Sequence, residues 1–551
     1  MYNRGGDVLQ QASSPATRGG HWRSADEVRV GIQDYVRLTA LRAPHRTAVV
    51  LGDGTKFDYL ELNSRVNRLA SQFAAEGVHN GTRVALMGVD SHRYLETYLA
   101  LFELGATVVP LNFRLAQREF DNLVRKAEPE VLLFSGRYAG MLEHAADIHP
   151  YVRLYICFDG QAGPGVDYEQ FLAVGEDCEP DVPRPRDTDI AALAFTSGTT
   201  GLPKGVQQSY GMLSRLVLNN TLDYGALPDD FWYCASPLFH VAGLAYPMMQ
   251  VVRGGANLII PQFDAQTILD FVNSDMQLTC MFVTPTMLSM ILGLPGAQTA
   301  RWDRLRLIAY GSASISPALL RNAMDLIGCD FINTFGAGTE AGSQTTLGPA
   351  EHRRALRDKP ELLGSIGLPA TGVELRICDD DWNDVPRGEV GEIVTRSATV
   401  MSGYLDMPEE TALVFGEGGW FRGGDLGCQD EEGYVFLKGR SKDMIIRGGE
   451  NIYPVEVENV LAEHPGIELS AVVGKADERW GQIVRAWVVR HAGARVTANE
   501  LRDLCRENLA RYKVPTEIVF VDDLPRNASG KILKRELVNW EPADHAGRDP
   551  D

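Results

Sequence analysis

Helical and buried-strand patterns alternate along most of this 551-residue chain, and this alternation restricts the fold more than any other feature. One helix face is predicted from five apolar residues at helical spacing: Leu62, Val66, Leu69, Ala70 and Phe73. Short apolar runs of strand type follow it, at 84–87, 107–111, 132–134 and 154–158. Because strands that alternate with helices pair in parallel, we expect an α/β fold with largely parallel sheets.

The chain is too long for a single hydrophobic core, so at least two domains are expected. The clearest boundary lies near residue 440, after a turn-rich stretch at 430–433. We therefore predict a flexible tail at 1–27, a large domain at 28–440, a small α+β domain at 441–538 and a polar tail at 539–551.

Charge and cysteine usage exclude several classes of protein. A formal net charge of −20 argues against a protein that coats nucleic acid, since phosphate binding of that kind needs a basic face. The eight cysteines include no CxxC pair, which indicates reduced thiols and no zinc site. The N-terminus has no signal peptide, and no apolar run reaches the ~20 residues that span a bilayer. We expect a soluble cytoplasmic protein, with a homodimer as a candidate assembly.

A cluster of glycines, hydroxyls and one lysine follows the apolar run at 190–194. Its members are Thr196, Ser197, Gly198, Thr199, Thr200, Gly201 and Lys204. Converging backbone N–H groups, hydroxyl donors and an ammonium suit a polyanion, although such clusters are also common in surface loops. The strand before the cluster and the lysine after it favour a phosphate-binding loop. Because Lys204 follows a proline and precedes a glycine, the cluster is not a Walker A motif.

The string TSGTTGLPKG resembles the phosphate-binding signature of the acyl-adenylate-forming superfamily, which includes acyl-CoA synthetases, firefly-type luciferases and peptide-synthetase adenylation domains. The resemblance extends over residues 30 to 537 and is strongest towards fatty-acid–CoA ligases. It implies a large N-terminal domain of stacked, mostly parallel sheets with a small barrel-like subdomain. It also implies a small α+β C-terminal domain that rotates.

A second glycine-containing segment, at 336–341, matches the dinucleotide pattern GxGxxA. It lacks an opening βαβ unit, and poor helix formers follow it, so binding of NAD is disfavoured. The resemblance implies instead that this segment binds ATP: Phe335 and Gly336 beside adenine, Thr339 on the α-phosphate and Glu340 on Mg²⁺, with Thr196 as a further metal contact. The segment has one residue more than the five-residue pattern of the superfamily.

The resemblance assigns roles to further residues in both predicted domains. Gly311, Ser312 and Ala313 border the adenine, Asp425 and Arg440 hold the ribose, and His240, Tyr310 and Gly338 line the acyl pocket. In the small domain Lys531 offsets charge during adenylation, Lys442 is the hinge, and Gly448 and Gly449 border the tunnel for the pantetheine arm of CoA.

These residues together predict an AMP-forming acid–CoA ligase. A carboxylate and Mg·ATP give acyl-AMP and pyrophosphate, and the thiol of coenzyme A then gives acyl-CoA and AMP. We predict a medium- or long-chain fatty acid as substrate, with an aryl or steroid-derived acid as the alternative. Other functions that fit the same residues are an acyl-AMP ligase that loads a carrier protein, a luciferase-like oxidase and an inactive nucleotide-binding protein.

Overall fold

The structure is a computed structural model, and it describes residues 30–196, 203–276, 278–312, 315–491, 493–526 and 532–540. The predicted tail at 1–27 and most of the predicted tail at 539–551 lie outside these described residues. None of the described helices is long and apolar enough to cross a bilayer.

The strands of the described residues are, in chain order, β1 (Thr47–Leu51), β2 (Lys56–Asp58), β3 (Arg83–Met87), β4 (Thr107–Pro110), β5 (Val131–Phe134), β6 (Leu154–Cys157), β7 (Val166–Asp167), β8 (Ile190–Thr196), β9 (Lys204–Ser209), β10 (Phe231–Cys234), β11 (Ala256–Ile259), β12 (Cys280–Val283), β13 (Leu307–Tyr310), β14 (Asp330–Phe335), β15 (Thr345–Leu347), β16 (Leu368–Pro369), β17 (Val373–Cys378), β18 (Gly391–Ser397), β19 (Gly403–Tyr404), β20 (Phe421–Gln429), β21 (Val435–Arg440), β22 (Ile445–Arg447), β23 (Glu450–Ile452), β24 (Ile467–Asp477), β25 (Gly481–Arg490) and β26 (Glu517–Val521).

The α-helices are α1 (Tyr35–Arg42), α2 (Tyr59–Ala75), α3 (His92–Glu103), α4 (Gln117–Ala127), α5 (Ala145–Ile148), α6 (Tyr168–Val174), α7 (Tyr210–Asp223), α8 (Val241–Arg253), α9 (Ala265–Asn273), α10 (Pro285–Leu292), α11 (Pro317–Ile327), α12 (Gly338–Ala341), α13 (Pro349–Arg357), α14 (Pro408–Val414), α15 (Pro454–Ala462), α16 (Ala498–Asn508) and α17 (Lys534–Leu537). Short 3₁₀ helices lie at Ile32–Asp34, Gly136–Leu142, Ala297–Thr299, Trp302–Arg304, Pro360–Gly364, Glu417–Gly419, Ser441–Asp443 and Arg511–Lys513.

Two large sheets form the N-terminal part of the molecule. The first has the strand order β16-β15-β14-β13-β12-β10-β11-β1-β2 and is parallel from β14 to β1. The second has the order β19-β9-β8-β4-β3-β5-β6-β7 and is parallel from β8 to β7. The α/β fold with stacked, largely parallel sheets is therefore confirmed. The helix predicted around Leu62 is α2, which begins at a capping box of Asp58 and Glu61.

The largest core cluster lies between these two sheets and is built from both of them and from α3, α7 and α8. Its members include Val49, Ile259, Leu86, Val108, Phe102, Leu213 and Met248. Further helices cover the outer faces, with α9, α10 and α11 on the first sheet and α4 on the second. Parallel strands need this cover because both of their faces are apolar.

Two smaller sheets follow along the chain. The predicted barrel-like subdomain is a four-stranded antiparallel sheet in the order β17-β18-β20-β21. The C-terminal part forms a separate sheet of β23, β22, β25, β24 and β26, packed with α15 and α16 around its own core. The chain passes from one sheet to the other between Arg440 and Ile445, close to the boundary predicted at 440.

Candidate nucleotide and acyl site

The predicted phosphate-binding loop is carried by a hairpin of β8 and β9. Thr196 at the end of β8 pairs with Lys204 at the start of β9. The ammonium of Lys204 lies 4.6 Å from the ring centroid of Tyr404 in β19. Ser197, Gly198, Thr199, Thr200 and Gly201 lie outside the described residues, so their contact with phosphate stays a prediction.

Backbone contacts tie the Thr339–Glu340 segment to the edge of the same sheet. The amide side chain of Gln208 in β9 donates to the carbonyl of Thr339 at 2.8 Å. The N–H of Met401 donates to the carbonyl of Glu340 at 2.7 Å. The segment can turn this tightly because Gly336 has no side chain: a Cβ there would lie 2.0 Å from the carbonyl oxygen of Gly342. The Thr339–Glu340 segment, with its predicted phosphate and metal contacts, thus lies beside β9, which begins at Lys204.

Glu340 lies within the electrostatic reach of three other predicted site residues. Burial raises the pKa of Glu340 to about 7, Asp425 also raises it, and Arg440 and Lys204 lower it. Among the described residues no group of three or more His, Cys, Asp or Glu side chains could hold a metal ion. A lone, largely desolvated carboxylate does fit Mg²⁺ that arrives on a nucleotide, because Mg²⁺ takes one or two carboxylates and completes its shell with phosphate oxygens and water.

The predicted ribose residues face each other across β20 and β21. Asp425 and Arg440 are cross-strand partners, with 3.0 Å between Nε and Oδ1. Asp425 is 6% exposed, and the neighbouring Gly424 turns the strand with a φ of +81°. A Cβ on Gly423 would lie 3.4 Å from the Cβ of Ala337, so this strand borders the Glu340 segment directly.

The predicted adenine residues lie at the ends of β13 and β14. A Cβ on Gly311 would lie 3.0 Å from the carbonyl oxygen of Thr334, so glycine permits this close approach. Ser312 follows with a φ of +67°, a left-handed conformation that is uncommon outside glycine. The partly buried ring of Phe335 packs against the core of the four-stranded sheet, and its stacking on adenine stays a prediction. Ala313 lies outside the described residues.

His240 lies at the N-cap of α8, in a loop that the side chains of Asp90 and Tyr98 hold. Asp90 accepts from the N–H of Leu238 at 2.8 Å, and the hydroxyl of Tyr98 donates to the carbonyl of Leu238 at 3.1 Å. Burial, with Arg114, lowers the pKa of His240 to about 4, so the imidazole is neutral at pH 7. Its buried Nε2 makes no hydrogen bond to the described residues.

Gly338 faces the beginning of the same helix. Its φ is +31°, and a Cβ there would lie 3.9 Å from Cγ1 of Val241. Gly338 therefore lies close to the residue that follows His240, and the shared role of both residues in an acyl pocket stays a prediction.

The side chain of Tyr310 points away from α8, towards the outer face of the first sheet. It is 2% exposed, belongs to the core on the outer face of the first sheet, and its hydroxyl lies 2.9 Å from Nε2 of His352 in α13. Only the backbone of Tyr310 is therefore available to line the predicted acyl pocket. Alternate residues of a strand point to opposite faces, and the sequence did not indicate which face Tyr310 occupies.

Sequence reasoning missed an aromatic and hydroxyl cluster beneath Gly311. The ring of Phe282 lies 3.7 Å from the position of a Cβ on Gly311, and Tyr246 stacks on Phe282 with 4.7 Å between centroids. The hydroxyl of Tyr224 lies 2.7 Å from that of Tyr246 and 2.6 Å from that of Thr334. These residues come from four separate elements, so no local motif could have indicated the cluster.

The predicted hinge and CoA residues follow β21. Lys442 lies in the 3₁₀ helix Ser441–Asp443, and burial together with Arg440 lowers its pKa. Gly448 and Gly449 form the two-residue turn between β22 and β23, with φ of +61° and +91°. A Cβ on Gly448 would lie 2.9 Å from the indole of Trp480. The turn alone accounts for both glycines, and their role in a tunnel stays a prediction. Lys531 lies outside the described residues.

The chain is similar to known proteins over most of its length. The family model described as AMP-binding enzyme matches residues 36–405, and that of the AMP-binding enzyme C-terminal domain matches 456–531. The chain is 36% identical to an indoleacetate–CoA ligase of Aromatoleum aromaticum over 91% of this chain and 95% of that protein. It is 37% identical to a feruloyl-CoA synthase of an Amycolatopsis species, over 92% and 98%.

A solved structure extends the similarity to three dimensions. ATP-bound MatB from Rhodopseudomonas palustris superposes with a TM-score of 0.84 at 31% identity, covering 92% of this chain and 98% of that one. Both family models match, nearly the whole length of these relatives is covered, and the fold agrees. The chain therefore belongs to the AMP-binding enzyme family and is an AMP-forming acid–thiol ligase.

Proposed function

We propose that this ligase converts a compact aryl carboxylic acid, rather than a long-chain fatty acid, into its CoA thioester. ATP and coenzyme A are its co-substrates and Mg²⁺ its metal ion. The observation that carries the proposal is the buried aromatic layer beneath Gly311. We propose that this layer limits how far an acyl group can extend between α8 and the first sheet.

The layer is continuous across several elements. The ring of Tyr246 lies between Phe282, at 4.7 Å between centroids, and Trp232, at 5.6 Å. All three side chains are at most 3% exposed. We propose that a long alkyl chain would have to displace them, whereas a planar ring can stack on the outermost ring at little cost, since aromatic pairs favour such contacts. The partly exposed Thr334 adds a hydroxyl at the edge of the layer.

The names of two of the relatives support an aromatic acid independently of the geometry. Indoleacetate and ferulate each join an aromatic ring system to a carboxyl group, and proteins named for them align over more than nine-tenths of this chain. The fatty acid predicted from the sequence receives no comparable support from the described pocket wall.

Adenylation requires two anions to meet. An oxygen of the carboxylate attacks the α-phosphorus of ATP, and the bond from that phosphorus to the pyrophosphate oxygen breaks. We propose that Lys204 and Lys531 offset the charge on the phosphates, and that Asp425 and Arg440 hold the ribose. Glu340 and Thr196 would hold Mg²⁺, which neutralises phosphate charge when bound.

Thioester formation follows at the same acyl carbon. The sulfur of CoA attacks it, the bond to AMP breaks, and the thiol proton leaves to solvent or to the departing phosphate. We propose that the neutral Nε2 of His240, which makes no hydrogen bond to the described residues, accepts or donates one at the acyl group without adding charge. We propose that rotation of the C-terminal domain about Lys442 lets the pantetheine arm approach.

A pyrophosphate-release screen tests the choice of acid. The panel contains indoleacetate, ferulate and benzoate, and saturated acids of 4, 8, 12 and 16 carbons. We expect kcat/KM to be highest for an aryl acid and to fall at least tenfold for chains beyond about eight carbons, since a filled pocket rejects added methylenes. A maximum at 12 or 16 carbons would overturn the proposal.

The acceptor, the assembly and the location each have a direct test. Replacing CoA by a phosphopantetheinylated carrier protein should abolish product formation if CoA is the acceptor. A homodimer and a cytoplasmic location stay predictions from the sequence, to be tested by light scattering and cell fractionation.

A further inference from the structure

We propose that Lys126 is a positioning residue for ATP: its ammonium holds the base of the β8–β9 hairpin at the place from which Lys204 meets the nucleotide. The inference concerns the nucleotide and not the acid, so it goes beyond the proposed function.

Lys126 lies in the last turn of α4 and reaches the hairpin from the outer face of the second sheet. Its half-buried Nζ donates to the carbonyl of Pro203 at 3.0 Å and lies 3.6 Å from the sulfur of Met407. The first pair of the β8–β9 ladder is Thr196 with Lys204. Pro203 therefore precedes the first paired residue of β9. Among the described residues, its carbonyl accepts a hydrogen bond from Lys126 and not from a neighbouring strand.

Met407 is the third residue of this contact, beside Lys126 and Pro203. It is the last residue of a strap, residues 401–407, that is hydrogen-bonded to the hairpin and to the Glu340 segment. Within the strap Tyr404 pairs with Val206, and the N–H of Leu405 donates to the carbonyl of Gly205 at 2.7 Å. The N–H of Met401 donates to Glu340. Lys126 thus joins the residue before Lys204 to the strap that holds Glu340.

No carboxylate of the described residues neutralises the ammonium of Lys126. Over the part of the chain that the structure describes, its side chain makes no ion pair, and its contacts are a carbonyl and a thioether. A half-buried cation next to Pro203 adds positive potential where Lys204 begins β9, and positive potential favours a bound triphosphate. The contact of Lys126 with Pro203 and the positive charge of Lys126 both favour tighter binding of ATP.

The test compares Lys126→Met and Lys126→Arg with Arg125→Met. Arg125 is a matched control because it is exposed on the same helical turn, and its only side-chain hydrogen bond to the described residues is to Asn122. Methionine keeps the length of the side chain and removes the charge and the donor. In ATP–pyrophosphate exchange we expect Lys126→Met to raise KM for ATP roughly tenfold, the size typical of a lost charged hydrogen bond, with KM for the acid changed less than twofold. Lys126→Arg should recover most of the loss, and Arg125→Met should behave as wild type.

Titration calorimetry with MgATP and no acid gives the same comparison without any turnover. The Kd of Lys126→Met for MgATP should rise by the same factor. This arm separates the inference from the proposed function, because it does not depend on which acid is accepted. If Lys126→Met lowers the melting temperature but leaves Kd and KM for ATP unchanged, Lys126 has only a structural role and the inference is overturned. Equal rises in KM for ATP and for the acid would overturn it as well.

Discussion

The carboxyl group of Glu340 lies within reach of Lys204, Arg440 and Asp425, and burial raises its pKa to about 7. At this scale of single residues the fold sets the protonation state of the proposed metal ligand. A carboxyl group with a raised pKa is protonated below that pKa and ionised above it. The ionised form binds Mg²⁺, so protons and metal compete for one group near neutral pH.

This competition predicts a pH-dependent requirement for Mg²⁺. The concentration of Mg²⁺ that half-saturates ATP–pyrophosphate exchange should rise about tenfold per pH unit as the pH falls below 7, and should level off above 8. Glu340→Gln should lose roughly 100-fold in kcat, while Glu409→Gln, an exposed glutamate of α14, keeps the wild-type rate. A requirement for Mg²⁺ that stays constant from pH 6 to pH 8 would contradict the proposed role of Glu340.

The two glycines near Glu340 predict effects of different size for the same substitution. Gly336→Ala places a Cβ 2.0 Å from a backbone carbonyl, so it should cost several kcal/mol of stability and abolish adenylation. Gly338→Ala meets only Val241, at 3.9 Å, and should cost about 1–2 kcal/mol for its positive φ. It should stay folded and raise KM for the acid more than KM for ATP. Thermal melts and steady-state kinetics distinguish the two, and an inert Gly336→Ala would show that the close approach is wrong.

At the scale of elements, the proposed wall of the acyl pocket lies where α8 meets β12 and β13. Phe282→Leu shortens this wall on the side of Gly311. We expect kcat/KM for an eight-carbon acid to rise about tenfold relative to an aryl acid, because a pocket enlarged by a few carbon volumes accepts added methylenes. Phe331→Leu is the matched control: Phe331 is equally buried, but on the opposite face of the same sheet.

Both variants should lose about 1–3 kcal/mol of stability. If the two change acid preference alike, the effect comes from general loosening of the core, and the aromatic layer does not limit the length of the acid.

At this scale, some elements of the fold can be predicted from the sequence, whereas contacts between distant residues cannot. Apolar periodicity predicts α2 and the strands β3 to β6, because each of these elements buries a regular face. The ion pair of Asp425 with Arg440 depends on the register of β20 and β21, which no local pattern specifies. The outward core position of Tyr310 depends on strand phase, and Lys126 contacts a residue 77 positions away. Long-range contacts of this kind follow only from the assembled sheets.

At the scale of the whole molecule, the chain leaves one sheet at Arg440 and enters another at Ile445. A hinge at Lys442 would let the C-terminal part adopt two positions, one for each half-reaction. Lys442→Pro fixes φ near −65°, which suits the 3₁₀ conformation observed at this residue. We expect it to slow one half-reaction at least tenfold and to leave the other near its wild-type rate.

Pyrophosphate exchange measures the first half-reaction of the hinge variant, and transfer from isolated acyl-AMP to CoA measures the second. If both rates fall by the same factor, or neither falls, Lys442 is not the hinge.

The central claim is that this ligase forms the CoA thioester of an aryl acid, and a competition assay tests it most directly. Wild-type enzyme receives ATP, Mg²⁺, CoA and an equimolar mixture of indoleacetate and dodecanoate, and mass spectrometry quantifies both thioesters and AMP. We predict that the aryl thioester exceeds the dodecanoyl thioester at least tenfold, with one AMP formed per thioester. An excess of dodecanoyl-CoA, or AMP released without either thioester, would contradict the account.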